Sequence, residues 1–227
     1  MHFSIILVLS GFIAGRIAAV WAVSMIDEAI PTGLRACRSC QQRFDVVRQL
    51  LSLMVRIRCG NCRHIDGFWP LAASVFTAAA FSIFAWLLVD HACQAVAEVQ
   101  PSIPLWQNRL PFHLLFIFFL TTATITDLLD YVIPDAIIVL GTLSAITFAT
   151  LSGELQMIHV WVDWDYELVT LYGPWLPDWM KQHQHLHGLA WSLSGLFTGA
   201  GIMWAGRLAA HLILRMPAIG FGDVTLM

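Results

Sequence analysis

Five long apolar segments constrain the fold of this chain more than any other feature of its sequence. Each is long enough to cross the hydrocarbon core of a bilayer as an α-helix, which takes about 20 residues. Only 12% of the residues are charged, about half the share found in water-soluble domains. The sequence therefore predicts an all-α integral membrane protein, a polytopic helix bundle whose five spans cover residues 3–25, 68–89, 110–126, 134–151 and 188–214.

The first apolar segment occupies the place of a secretory signal peptide but has a different composition. It lacks a basic start and carries Arg16 within it. It is also longer than the apolar core of a signal peptide, which has about 7–15 residues. We therefore expect residues 1–25 to form the first transmembrane helix.

Basic residues are concentrated between the first two spans. Seven of the twelve lysines and arginines lie there: Arg35, Arg38, Arg43, Arg48, Arg56, Arg58 and Arg63. Because short loops rich in Lys and Arg stay in the cytoplasm, alternating the spans puts residues 127–133 and 215–227 inside. It puts residues 152–187, with five acidic residues and a single lysine, outside. Five spans therefore bring Asp127 and Asp223 to the same cytoplasmic face.

Two carboxylates beside these spans stand in patterns that indicate chemistry. Asp127 begins the run Asp-Leu-Leu-Asp-Tyr-Val-Ile-Pro-Asp, and Asp223 follows Gly220-Phe-Gly222. An ionisable residue beside an apolar span is costly to hold and is functional by default. Two carboxyl groups a few ångströms apart do not ionise together, so one stays protonated while the other serves as a base. A pair of this kind, with a water between the acids, is typical of aspartic proteases.

Neighbouring residues offer both support for this pair and an alternative to it. Gly220 and Gly222 relieve the steric limits on the backbone, so that it turns and approaches a substrate closely. Asp130 lies three residues after Asp127 and shares its helix face, so these two could also pair. The simpler interpretation makes Asp130 a solvated helix cap and Asp135 a first-turn carboxylate that the helix dipole stabilises.

Four cysteines in the cytoplasmic loop are spaced like the ligands of a zinc ion. Cys37 and Cys40 form one Cys-x-x-Cys unit, Cys59 and Cys62 form another, and 18 residues separate the two. Two such units about 15–20 residues apart are a zinc signature, and a reducing cytoplasm disfavours disulfides. We expect a structural zinc site, because four sulfur ligands leave no position for water. Buried thiols without a metal are the alternative.

The pattern Asp127-x5-Ile-Pro-Asp, followed at a distance by Gly220-x-Gly222-Asp223 and an aliphatic tail, resembles the GxGD aspartic peptidases. The likeness is greatest to the bacterial type IV prepilin leader peptidases, with archaeal preflagellin peptidases and presenilin more distant. It implies that Asp127 and Asp223 are the catalytic aspartates. It also implies a multi-pass hydrolase of the bacterial inner membrane that faces the cytoplasm. The implied substrates are the prepilins and pseudopilins of type IV pilus and type II secretion systems.

The cytoplasmic loop shares this resemblance, down to the run Leu53-Met-Val-Arg56-Ile-Arg-Cys59. In the family it is linked to N-methylation of the new amino terminus, with S-adenosylmethionine as the methyl donor. Residues 44–49 lack the family's Asn-Ile-Pro stretch, and residues 69–73 lack an acidic residue that is usual there. The resemblance therefore implies cleavage more directly than it implies methyl transfer.

The domain organisation follows from these features. Residues 1–25 are the first membrane helix, residues 26–67 a cytoplasmic four-cysteine zinc domain, and residues 68–227 the peptidase core. Since the family continues with about three more membrane helices, the resemblance implies a chain truncated after Gly-x-Gly-Asp. The expected partners are prepilin or pseudopilin substrates and membrane lipid, and no feature indicates nucleic acid.

Three other interpretations remain open from the sequence. The chain could be a catalytically inactive zinc-knuckle scaffold of a pilus or secretion assembly, its acids serving as helix caps. A transporter with a proton relay fits less well, because both acids lie at a membrane edge. The alternating His183, His185 and His187 would share one side of an extended strand and could hold a metal; an interfacial aromatic and histidine belt is the alternative for that loop.

Overall fold

The computed structural model describes residues 2–26, 69–93, 107, 109–155 and 182–214. Within these ranges the regular elements are all helical, and there is no strand. Five helices are long and apolar enough to cross a membrane. They are α1 (His2–Ile26), α2 (Trp69–Ala85), α3 (Arg109–Asp130), α4 (Asp135–Ser152) and α5 (Gln184–Leu214), and α2 continues as a π-helical segment over Trp86–Asp90.

The predicted all-α fold with five apolar spans is confirmed for the described residues. Each helix begins and ends within four residues of the predicted span. The region predicted to be a zinc domain lies outside the described residues, so that part of the fold stays a prediction.

The chain forms two compact units, one comprising residues 1–86 and 114–137 and the other residues 87–113 and 138–227. In the first unit α1 packs against α2 across glycines. A Cβ added at Gly11 would lie 2.7 Å from the Cα of Ala78, and one added at Gly15 would clash with the Ala73 carbonyl oxygen. Small residues let the two backbones approach closely, which is how membrane helices pack without a hydrophobic driving force.

Helix α3 joins this unit through aromatic and small side chains. Trp21 of α1 stacks on Phe118 with ring centroids 5.9 Å apart and meets the edge of Phe119 at 6.1 Å. Such offset and edge-on ring pairs add about 0.5–1.5 kcal/mol beyond their buried area. The core is a cluster of buried small and aliphatic residues: Ala18, Ala19, Ala22, Ala73 and Ile125.

The threonines of α3 bond back to their own helix. The hydroxyls of Thr121, Thr122 and Thr124 each donate to the carbonyl four residues earlier, at 2.8, 2.9 and 2.8 Å. Thr126 donates to the carbonyl three residues earlier at 2.9 Å. These bonds satisfy hydroxyls that an apolar environment would otherwise penalise. Thr77 of α2 meets the Thr121 hydroxyl at 3.5 Å, so the two helices also share a polar contact.

In the second unit α4 and α5 cross at a glycine. A Cβ at Gly188 would clash with the carbonyl oxygen of Ala149. Gly153 ends α4 with a φ of 67°, and its N–H donates to the same carbonyl at 3.0 Å. Only glycine adopts this left-handed cap without a steric cost. The ring Nδ1 of His185 donates to the Thr150 carbonyl at 2.8 Å, which adds a second tie between the helices.

The interpretation of the three histidines as one side of an extended strand is wrong. Helix α5 begins at Gln184, so His185 and His187 are helical, and residues two apart on an α-helix point about 200° apart. The backbone N–H of His187 donates to the His183 carbonyl at 3.1 Å, as in a helical turn. The described residues contain no group of three metal-ligating side chains.

Candidate functional site

Asp127 lies on the last turn of α3, directly after two residues whose side chains pack in the core. Thr126 is fully buried, Ile125 is 6% exposed, and Leu129 packs against the same core. Since successive helical residues are rotated by about 100°, anchoring Ile125 and Thr126 in the core turns Asp127 outward. Its side chain is exposed. The apolar core therefore fixes the turn and leaves this carboxylate accessible.

A left-handed residue ends the helix that carries Asp127. Tyr131 has a φ of 55°, and its N–H donates to the Asp127 carbonyl at 2.8 Å. This is the geometry of a helix C-cap, although a residue with a Cβ adopts it at a cost. The Tyr131 side chain is 89% exposed. The cap therefore holds the backbone of the Asp127 turn. No sequence pattern indicates it, because glycine or asparagine usually fills such a position.

The two neighbouring acids lie at helix ends, as the simpler interpretation predicts. Asp130 is the last residue of α3, Asp135 is the first of α4, and both are exposed. The N–H of Ile137 donates to the Pro134 carbonyl at 3.0 Å, which closes the first turn of α4. The positions of Asp130 and Asp135 are therefore those of terminal carboxylates, and neither is buried in a site.

The described residues near Asp127 expose charge of one sign. Among the described residues of the first unit, the acidic side chains are Asp127, Asp130 and Asp135, all exposed, and the one Lys or Arg is Arg16. Arg16 is only 2% exposed in the middle of α1. The exposed charges of the described residues in this unit are therefore acidic, whereas the seven arginines of residues 26–67, predicted for the same cytoplasmic face, lie outside the described part.

Burial of charge was the feature that sequence reasoning missed. Arg16 counted only as an argument about the first segment, and Arg109 was expected just outside the predicted span 110–126, at the end of an external connector. Arg109 is 1% exposed, and its guanidinium donates to the Glu154 carbonyl oxygen at 3.4 Å. Its own carbonyl accepts a 2.7 Å bond from His113 Nδ1. The only sequence signal was an arginine at the margin of an apolar span.

The other predicted site residues lie outside the described part of the chain. They are Asp223, Gly220 and Gly222 of the second motif and the predicted zinc ligands Cys37, Cys40, Cys59 and Cys62. The pairing of Asp127 with Asp223 and the zinc site thus remain predictions. An exposed carboxylate such as Asp127 can accept a proton from water, but the acid–base division of labour needs a second carboxyl group.

No protein-family model, no curated protein and no solved structure matches the chain. The candidate site in the described residues is an accessible carboxylate at the end of an apolar helix, on a turn fixed by a buried core and a capped terminus.

Proposed function

We propose that the protein is a membrane-embedded aspartic endopeptidase that removes the leader peptide of type IV prepilins or pseudopilins. Its location would be the bacterial inner membrane, with the site facing the cytoplasm. The observation that carries the proposal is the exposure of Asp127 on the last turn of an apolar span. A functional carboxylate at that depth meets a peptide bond at the edge of the bilayer, where the apolar helix of a substrate ends and its soluble leader begins.

In the proposed mechanism Asp127 and Asp223 share one proton. The ionised member takes a proton from the attacking water, and the protonated member polarises the scissile carbonyl. Both then stabilise the tetrahedral diol. The backbone at Gly220 and Gly222 lies against the substrate, since glycine permits a close approach.

The capped end of α3 supports a catalytic role for Asp127. Acid–base catalysis depends on holding the catalytic group in a fixed geometry. Two anchors act on this turn: Thr126 and Ile125 in the core on one side, and the Tyr131 N–H on the Asp127 carbonyl on the other. A freely fraying helix end would not hold the carboxylate in this way.

We also propose that Cys37, Cys40, Cys59 and Cys62 hold a structural zinc ion in a cytoplasmic domain. Four thiolates saturate a tetrahedral zinc ion, so the metal would stabilise the domain and take no part in hydrolysis. Methylation of the new amino terminus with S-adenosylmethionine belongs to the same proposal, with the cytoplasmic loop as its site.

The proposal is tested by incubating the membrane-embedded protein with a prepilin, with and without S-adenosylmethionine, and following leader loss and methyl transfer separately. Asp127→Asn and Asp223→Asn should each abolish leader removal while leaving membrane insertion intact. Asp90→Asn is the matched control, because Asp90 is another exposed aspartate at the end of an apolar span. Cleavage retained in Asp127→Asn would refute the catalytic role and favour the non-enzymatic scaffold.

A further inference from the structure

Thr126 differs from the other three threonines of α3 in the carbonyl to which its hydroxyl donates. In the other three the acceptor is the carbonyl four residues earlier, which in an α-helix also accepts the backbone N–H of the same threonine. The Thr126 hydroxyl instead donates to the Ala123 carbonyl, three residues earlier, at 2.9 Å. In an α-helix that carbonyl accepts the N–H of residue 127. The Thr126 hydroxyl and the Asp127 N–H therefore converge on one oxygen.

The Thr126 side chain is placed to act on Asp127 through the backbone and not on a ligand. It is fully buried, with 0% of its surface exposed, whereas Asp127 is exposed. A ligand at the carboxylate therefore does not touch the hydroxyl. What the hydroxyl does contact is the acceptor that sets the direction of the Asp127 N–H.

We propose that Thr126 is a positioning residue whose hydroxyl sets the direction of the Asp127 carboxylate at the end of α3. A threonine hydroxyl that bonds back to its own helix bends the helix at that turn. Here the bend falls where the helix ends and the carboxylate leaves the core. A displacement of about 1 Å in a catalytic group costs up to about 100-fold in rate. The inference rests on the proposed function for this rate effect only, since the effect on the turn itself does not depend on it.

The hydroxyl can be removed without leaving an unsatisfied polar group. In Thr126→Val the side chain keeps its branched shape, and the Ala123 carbonyl keeps the N–H of residue 127 as its donor. The other tie on this turn, from the Tyr131 N–H to the Asp127 carbonyl at 2.8 Å, also stays in place. We therefore expect Thr126→Val to be about as stable as the unchanged protein, so that a change in rate reports on the position of Asp127.

Single-turnover cleavage of a prepilin by the membrane-embedded protein tests the rate effect. Thr126→Val should lower the rate of the chemical step about tenfold and leave substrate affinity unchanged, and Thr126→Ser, which keeps the hydroxyl, should restore the rate. Thr122→Val is the matched control, because Thr122 is also fully buried and its hydroxyl donates at 2.9 Å to the Phe118 carbonyl. An unchanged rate in Thr126→Val, an equal loss in Thr122→Val, or no recovery in Thr126→Ser would each overturn the proposal.

The position of residue 127 is measured separately, without any cleavage. A nitroxide amino acid at position 127 of the full chain reports by electron paramagnetic resonance how tightly the last turn of α3 is held. Its spectrum should change when Thr126→Val is added and stay the same when Thr122→Val is added. A changed spectrum in a protein that cleaves no prepilin would leave the positioning role standing and remove the peptidase. Cleavage by the unchanged protein, with neither rate nor spectrum altered in Thr126→Val, would remove the positioning role and leave the peptidase standing.

Discussion

The two ends of α3 hold their charges in opposite ways. Arg109 at the first residue is almost completely buried and donates to the Glu154 carbonyl at 3.4 Å. Asp127 and Asp130 on the last turn are exposed. A buried charge that is hydrogen-bonded belongs to the packing of its unit. An exposed carboxylate beside an apolar span contributes nothing to packing and is available to a ligand.

The surroundings of each end agree with this division. The Arg109 carbonyl accepts a bond from His113 Nδ1 at 2.7 Å, and the same unit contains the close crossing at Gly188. At the other end the anchoring is carried by Thr126 and by the Tyr131 cap, while the carboxylate itself stays out of the core. Position beside a span therefore does not separate a charge that packs from one that stays accessible, whereas burial does.

The largest expected effect that separates the two ends comes from Asp127→Asn. If Asp127 is catalytic, leader removal should fall by about 1,000-fold or more, which corresponds to about 4 kcal/mol in the activation barrier. Because the side chain is exposed, the thermal unfolding of the detergent-solubilised protein should hardly move. A variant that loses stability along with activity would show that Asp127 is structural, as Arg109 is.

Arg109→Ala should reduce stability, the property that Asp127→Asn leaves almost unchanged. It removes a buried side chain together with its hydrogen bond, so the free energy of unfolding should fall by about 2–3 kcal/mol. Glu154→Gln is the matched control, since it removes the carboxylate but keeps the carbonyl that accepts the bond, and should cost less than about 1 kcal/mol. Thermal unfolding in detergent measures both changes, and equal losses in the two variants would assign the stability to the carboxylate.

Gly188, in the same unit as Arg109, tests how much close helix packing stabilises that unit. In Gly188→Ala the new methyl group meets the carbonyl oxygen of Ala149, a backbone atom that has no rotamer by which to yield. We expect a loss of about 1–3 kcal/mol in the free energy of unfolding. Gly195→Ala is the control: no described atom lies within 4 Å of its Cβ, and alanine is favoured over glycine in a helix by about 1 kcal/mol. A destabilised Gly195→Ala would mean that another helix covers that face of α5.

The spans could be predicted because length and apolarity decide which segments cross a bilayer. The last turn of α3, from Asp127 to Asp130, was not included in the predicted span because its carboxylates interrupt the apolar run, although they do not interrupt the helix. The burial of Arg109 depends on a carbonyl 45 residues away, which no local pattern encodes. The strand alternative for the alternating histidines fails because the chain has already entered α5 at Gln184.

Of the candidate site, the sequence could predict the place of Asp127 at a span end and the terminal positions of Asp130 and Asp135. It could not predict that Asp127 faces outward, because that depends on Ile125 packing against alanines of α1 and α2. Its proposed partner Asp223 lies outside the described residues, so the pair itself is still a prediction from the motif.

The smallest effect is expected at the cap that ends α3, and its sign is the informative part. Tyr131 holds a left-handed backbone at φ 55°, which costs a residue with a Cβ about 1 kcal/mol or more. Tyr131→Gly removes that cost but gives the unfolded chain more freedom, so the net gain in the free energy of unfolding should be below about 1 kcal/mol. Tyr131→Ala keeps a Cβ and should gain nothing, which makes it the control in thermal unfolding. A Tyr131→Gly variant less stable than Tyr131→Ala would contradict this expectation. The exposed ring would then have to make a contact that holds this end of the helix. The Asp127 end would in that case resemble the packed Arg109 end more than the exposure of its carboxylates indicates.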